Sequence, residues 1–380
     1  MNSKLSQISL LLFIETFAFL LAFSFLVAER TYSILITFVI LVLSGYLVRR
    51  IHSVRQMIRT LFQQHKKIAL VWSLIFLFIL PILLKNNPYQ IYILFYAGVF
   101  ALLALGLNWQ IGGTNIVNFA TGASFATGAY TAALLAKHLG LSFWILLPIS
   151  GLSAGILGFI LGLPCMKVER YYLSLVTLAF TFIVYLLLIN FDWTGGPDGI
   201  ADIPFPKIGR FSFGSSIHLF GFEIPFQANF YYLTLFLVII TFIVSERFHH
   251  SKIGLAWNAI RDDEIAAECQ GIDVTYYKIL SFATNFFFDG IAGAVFAFNM
   301  SHISPESFTF NISVTVVAMV IVGGLGNTGG AIFGVLLMTI IPEKFQIFQD
   351  YRVLLFGFVI LLMLFIRPKG LFPQPIRKYE

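Results

Sequence analysis

Charge is scarce in this chain. Asp, Glu, Lys and Arg make up only 11% of its 380 residues, against 58% hydrophobic. Soluble domains carry about 25% charged and about 45–50% apolar residues. The shortage excludes a soluble globular domain, and it excludes a nucleic-acid binder despite a net charge of +6 and a pI near 9.2. Cysteine is scarce too. Cys165 and Cys269 cannot build a disulfide framework and are expected to be reduced thiols near the cytoplasmic side. No G-x-x-x-x-G-K-[ST] loop occurs, so the cradle for nucleotide phosphates is missing and the chain is not expected to hydrolyse ATP or to hold a cofactor. No Cys/His cluster has metal spacing; His249-His250 beside Arg247 reads as a solvated helix end. The long apolar runs also lack the repeated Asp, Glu, His or Arg of a proton relay or voltage sensor.

What remains is hydrocarbon. Mean hydropathy is +0.88, and apolar runs of near-membrane length lie at 8–28, 31–48, 68–84, 91–108, 118–137, 143–163, 171–190, 230–246, 275–300 and 351–366. Backbone polar groups in a bilayer are satisfied only in helices or a closed barrel, and unbroken runs of about 20 residues select helices. The expectation is an all-α, polytopic integral membrane protein with about 10–12 transmembrane or re-entrant helices. Between 311 and 342 the apolar stretch is interrupted by Gly323-Gly324-Leu325-Gly326-Asn327-Thr328-Gly329-Gly330, which reads as two thin helices or a re-entrant pair. A signal peptide is the rival for residues 1–28, but its apolar run is long and no A-x-A-type cleavage site follows. A retained helix is expected, with Glu15 off-centre or facing other helices.

Orientation follows Lys and Arg in short loops. Segment 49–67 carries Arg49, Arg50, Arg55, Arg59, Lys66 and Lys67 without an acid, so it is expected inside. Alternation then puts Lys167-Val168-Glu169-Arg170 inside, 191–229 outside, 246–274 inside, and the tail with Arg367, Lys369, Arg377 and Lys378 inside. Both termini come out cytoplasmic. Segment 49–67 also reads as an amphipathic surface helix, with Ile51, Val54, Ile58, Leu61 and Phe62 at helical spacing. The pairs Gly151/Gly155, Gly158/Gly162 and Gly330/Gly334 have the spacing at which membrane helices pack closely. Asp289 is the main buried acid and reads as an interhelical hydrogen-bonding group.

The most informative polar segment is the inside loop 246–274. From Gly254 to Gly271 it runs without a helix breaker, with Arg261, Asp262, Asp263 and Glu264 crowded on one turn. One short helix is expected there, a docking surface or a plain connector. Ile265-Ala266-Ala267 followed by Gly271 resembles the E-A-A-x-x-x-G loop of ABC importer permeases, with Ile265 in place of the Glu. The stretch Ala259–Ala267 resembles more closely the larger permease subunit of bacterial branched-chain amino acid importers. So do Thr194-Gly195-Gly196-Pro197-Asp198-Gly199-Ile200, Ser304-Pro305-Glu306-Ser307-Phe308-Thr309-Phe310, Gly323–Gly330, Pro342-Glu343, Tyr351-Arg352 and Arg367-Pro368-Lys369-Gly370-Leu371, in order. Asn118-Phe119-Ala120, before Phe125, Gly128, Ala129 and Tyr130, is more similar to the smaller sister permease.

The resemblance implies an ABC importer permease fold over residues 89–373, after N-terminal helices in 1–88 that carry no transferable motif. It implies that Gly254, Arg261, Asp262, Glu264, Ala266, Ala267 and Gly271 belong to a coupling helix docked on an ATPase. Partners implied are a sister permease, two P-loop ATPase subunits that use the ATP, and a periplasmic or lipid-anchored solute-binding protein. That binding protein would meet Thr194, Gly195, Gly196, Asp198 and Gly199. Glycine and asparagine leave backbone open to a polar solute, so a translocation path is expected near Asn115, Asn118, Gly122, Gly128, Gly323 and Gly324. The implied function is import of leucine, isoleucine and valine across the bacterial inner membrane. A urea or short-chain amide importer on the same scaffold, and an ion-coupled transporter using Asp289, are the alternatives.

Overall fold

A computed structural model describes residues 2–28, 30–165, 170–219 and 222–344, with 354, 357–358, 361–363, 365, 367 and 370–372 beyond them. Lys167-Val168-Glu169, Tyr351-Arg352, Pro368-Lys369, Arg377, Lys378 and most of the expected span 351–366 lie outside the described residues. The helices are α1 (Asn2–Val27), α2 (Thr31–Arg50), α3 (His52–Gln64), α4 (Lys66–Leu83), α5 (Pro88–Thr114), α6 (Thr121–Leu139), α7 (Phe143–Cys165), α8 (Arg170–Asn190), α9 (Gln227–His249), α10 (Lys252–Asp262), α11 (Glu264–Cys269), α12 (Val274–Met300), α13 (Phe310–Gly323) and α14 (Thr328–Lys344). Among the described residues, eight helical segments are long and apolar enough to cross a membrane. The expected all-α, polytopic architecture is therefore what the chain folds into. Among the described residues, strand is confined to two short antiparallel hairpins in the 191–229 loop, β1 (Lys207–Ile208) with β2 (Phe211–Ser212) and β3 (Ile217–Leu219) with β4 (Phe222–Ile224).

Helices α5 and α12 form the axis of the bundle and are the most deeply buried of its spans. Small residues make that possible. Along α7, Gly151, Gly155, Gly158 and Gly162 line one face, where an added Cβ would meet Phe287, the Ala283 carbonyl, Phe286 and Ile279 of α12 in turn. The two G-x-x-x-G pairs thus form a single ridge on which α12 lies. On another side of α12, Gly128 of α6 has room only for a hydrogen because the Gly290 backbone sits against it. Such contact exchanges side-chain bulk for close backbone approach, the main attractive force left where lipid is as apolar as leucine.

The interrupted stretch 311–342 forms a helical hairpin. Gly334 packs on Met319 and Gly323, and Gly330 on Gly323, so α13 and α14 run antiparallel with a turn at 324–327. Asn327 holds that turn, its side-chain oxygen accepting from Gly330 N at 2.9 Å. Gly324, with φ +123°, abuts the Phe372 backbone, and Phe372 N donates to Gly323 O at 3.1 Å.

The first helices are fastened to this bundle at a few points. Pro81 inside α4 has no N–H, which leaves the Leu77 carbonyl without its helical donor. Tyr231 Oη of α9 donates to that carbonyl at 3.0 Å, and Tyr232 Oη donates to Phe78 O at 2.9 Å. Lys344 Nζ at the end of α14 donates to Ala28 O at 3.0 Å.

Candidate functional site: a helical elbow and a polar centre

The single helix expected over 254–271 is two. It breaks at Asp263, whose backbone is extended (φ −156°, ψ 113°) and whose side chain accepts from Ala266 N. The cause lies in the acidic run: an Asp at this position competes for backbone N–H groups and caps a new helix better than it continues an old one. Ser251 caps α10 and Asp263 caps α11, while Gly271 closes the elbow at φ +81°. Gly254 is held against the Phe248 carbonyl at the end of α9, where no side chain fits. Lys278 of α12 pairs with Glu264.

The elbow has an inner and an outer face. Ala267 is buried with Ile260 and Val274, so it serves the elbow's own packing. Outside stand Asp262, Ala266, Glu268 and Cys269, all exposed, around Ile265 at 75% exposure. Ile265 is thus a large aliphatic side chain left bare beside acidic residues.

Inward, the elbow grips the end of α5. Trp257 of α10 is buried, donates to Tyr277 O at 2.8 Å and packs over Gly113. Arg261 Nη1 donates to Gly112 O at 3.0 Å. That carbonyl belongs to the last turn of α5, which has no onward helical donors, and a cation there also suits the helix dipole. Gly112 in turn touches the Gly326 backbone, and Gly326 N donates to Asn108 Oδ1 at 2.9 Å. Elbow, α5 and the α13–α14 turn therefore meet at one point.

Just beyond lies a buried polar centre. Gln110 Oε1 accepts from Asn118 Nδ2 at 3.0 Å and from Asn285 Nδ2 at 2.9 Å. Ser124 Oγ donates to Asp289 Oδ2 at 2.6 Å. Gln110, Asn118, Ser124, Asn285 and Asp289 are all fully buried. Among the described residues, no hydrogen-bond partner reaches Gln110 Nε2, Asn285 Oδ1 or Asp289 Oδ1. Asn285 and Asp289 both face the gap left by the missing side chain of Gly106.

The irregular segment 116–120 enters this centre as largely buried non-helical backbone, and α8 bonds to it. Thr181 Oγ1 donates to Phe119 O at 2.7 Å, Phe119 N donates to Thr177 Oγ1 at 3.0 Å, and Ser174 Oγ donates to Val117 O at 3.2 Å. Of the residues expected near a path, Asn118 lies in the polar centre. Asn115 is the exposed left-handed cap of α5, at φ 55°. Gly122 N donates to Ser313 Oγ at 2.9 Å. Gly128, Gly323 and Gly324 sit at close helix or turn contacts rather than on an open cavity. Sequence reading passed over Gln110, Asn285 and Asn108; amides inside apolar runs, at 108, 110 and 285, were the available signal.

At the opposite end of the bundle the Thr194–Ile200 and Ser304–Phe310 motifs meet. Gly199 lies against the Ile303 carbonyl where no Cβ fits, at φ +72°, and Ile200 and Ile303 exchange hydrogen bonds of 2.9 and 3.0 Å. Thr194 Oγ1 donates to Leu188 O at 2.8 Å. Gly195 packs on the Gly199 backbone and Gly196 is buried, which leaves Trp193 and Asp198 outside.

Residues 89–364 match the family described as branched-chain amino acid transport system, permease component. The chain is 36% identical over 289 residues to the high-affinity branched-chain amino acid transport system permease protein LivM of Salmonella typhimurium, covering 73% of this chain and 68% of that one. It is 37% identical over 290 residues to LivM of Escherichia coli, with the same coverage. It is 22% identical over 288 residues to the permease protein LivH of Escherichia coli. The sister-like stretch at 118–130 therefore does not set the subunit type. No solved structure matches the chain significantly. By its matched length and its identity to LivM, the chain belongs to the permease-component family of branched-chain amino acid transport systems.

Proposed function

We propose that this chain is the larger permease subunit of an ATP-driven importer that carries branched-chain amino acids across the plasma membrane. The observation that carries this reading is the elbow: a polar, capped helix pair with Ile265 bare on its outer face and Arg261 bonded inward to α5. The outer face docks on a separate P-loop ATPase, and the inner bonds carry its movement to the polar centre. The chain itself makes and breaks no covalent bonds and needs no cofactor.

In this reading both termini are cytoplasmic, a sister permease completes the path, and a solute-binding protein meets the external turn at Trp193 and Asp198. The path passes the Asn115–Asn118 segment and the Gly323-Gly324 turn, with Gly122 and Gly128 setting how closely the helices around it close. Tagging the chain in its native host and extracting it in mild detergent tests the assembly. Recovery with a sister permease and a P-loop ATPase supports the reading; recovery alone, where other membrane complexes survive, overturns it. Leucine uptake by the reconstituted complex, challenged with excess isoleucine, valine or urea, tests the substrate.

A further inference from the structure

The first four helices lie outside the family-matched residues 89–364, and they hold a cavity that the importer reading does not use. Between α1, α3 and α4 is a groove of about 380 Å³ lined by Glu15, Ala18, Phe19, Phe62, Ser73, Phe76 and Leu77. Glu15 is 8% exposed, and neither of its carboxylate oxygens has a hydrogen-bond partner. It sits inside the apolar span Gln7–Val27, about 12 Å from the nearer end at 1.5 Å per residue. A lone acid at such depth is costly and marks function by default.

Among the described residues no cationic side chain lines the groove, and the neighbouring Thr16 hydroxyl donates to Leu12 O at 2.5 Å. The rings are held in place: Phe19 and Phe76 stack at 4.2 Å and 9°, and Trp72 packs edge-on to Phe76 at 5.5 Å. Trp72 Nε1 also donates to Thr16 Oγ1 at 3.4 Å. Three phenyl groups and one carboxylate line the groove, Phe19 and Phe76 as a stacked pair, and aromatic surface beside a carboxylate attracts positive charge most when water is excluded. The volume suits a small ligand. An anion would meet the carboxylate, and a hydrated metal ion would meet mostly hydrocarbon.

We propose that this groove binds an ammonium group carried on a hydrocarbon chain, with Glu15 as counter-ion and Phe19, Phe62 and Phe76 as the aromatic lining. The site is independent of the importer reading. Its occupant is either a free alkylammonium compound or a lipid amine.

The test uses the full chain in nanodiscs of phosphatidylcholine and phosphatidylglycerol, titrated with 11-bromoundecyl-trimethylammonium, whose bromine quenches nearby tryptophan fluorescence. Saturable quenching is expected. Trp72→Phe removes the saturable part, and E15Q raises the half-saturating concentration at least tenfold. The anionic probe 11-bromoundecanoate is expected to give only the linear quenching of membrane partition. Equal titration of wild type and E15Q, or equal saturation by the anionic probe, overturns the proposal. Should E15Q fail to fold by thermal melting, Phe62→Ala replaces it, with weakening of severalfold expected and none contradicting the aromatic lining. Competition by added phosphatidylethanolamine assigns the site to a lipid amine, and its absence to a free ammonium compound. Quenching that vanishes once the whole transporter is assembled puts a partner helix in the groove and refutes a small-ligand site.

Discussion

Arg261 and Gly112 lie 149 residues apart in sequence and are joined by a hydrogen bond of 3.0 Å from the guanidinium to the carbonyl. The bond crosses from α10 to the last turn of α5, one of the two most deeply buried spans of the bundle. Two residues before Gly112, Gln110 holds Asn118 and Asn285. The elbow and the polar centre are therefore joined through one turn of helix.

Arg261→Ala removes the donor and leaves a partly buried carbonyl unpaired. A hydrogen bond to a charged group contributes about 1.5–3 kcal/mol, so leucine uptake should fall at least tenfold at unchanged membrane level. ATP hydrolysis by the assembled transporter should continue, and loss of uptake and hydrolysis in equal proportion would speak against a joint.

Ile265→Glu tests the outer face. The side chain is 75% exposed, so thermal stability should stay within about 0.5 kcal/mol, as for most surface changes. Co-purification of the ATPase should drop sharply. Ala267→Leu is expected to act differently, melting the elbow itself, because Ala267 is packed against Ile260 and Val274; a lowered Tm reports it.

Gly128→Val places two methyl groups where the Gly290 backbone already sits. The α6–α12 contact must open, and overpacking of this kind costs about 1–3 kcal/mol or more. The variant should be recovered in low yield with a lower Tm, whereas Gly140→Ala at an open turn position should cost less.

Asp289→Asn keeps an acceptor for the Ser124 hydroxyl. The expected result is a change in folding yield with uptake per folded molecule retained. Selective loss of uptake with normal yield would instead favour an ion-coupled role for this acid.

The spans were legible because each is a run of apolar residues, and the close packing of α7 was legible because Gly151, Gly155, Gly158 and Gly162 repeat at helical spacing. The break at Asp263 was not, since an acidic run reads equally as a solvated face and as a cap. The polar centre was hidden for another reason. Gln110, Asn118 and Asn285 come from three separate segments, and only the crossing of α5 with α12 brings them together. Asn115 and Asn118 looked alike on paper; backbone direction at the end of α5 turned one outward as a cap and the other inward.

Cys269 offers the most direct test. It stands exposed on the outer face of α11, while Cys165 is buried. A maleimide–diazirine reagent attached to Cys269 in the solubilised complex, whose photoactivated end inserts into any neighbouring residue, should join Cys269 to a protein that carries a P-loop, identified by mass spectrometry. Labelling of Cys269 without such a product, in a complex that still contains the ATPase, would contradict docking at the elbow.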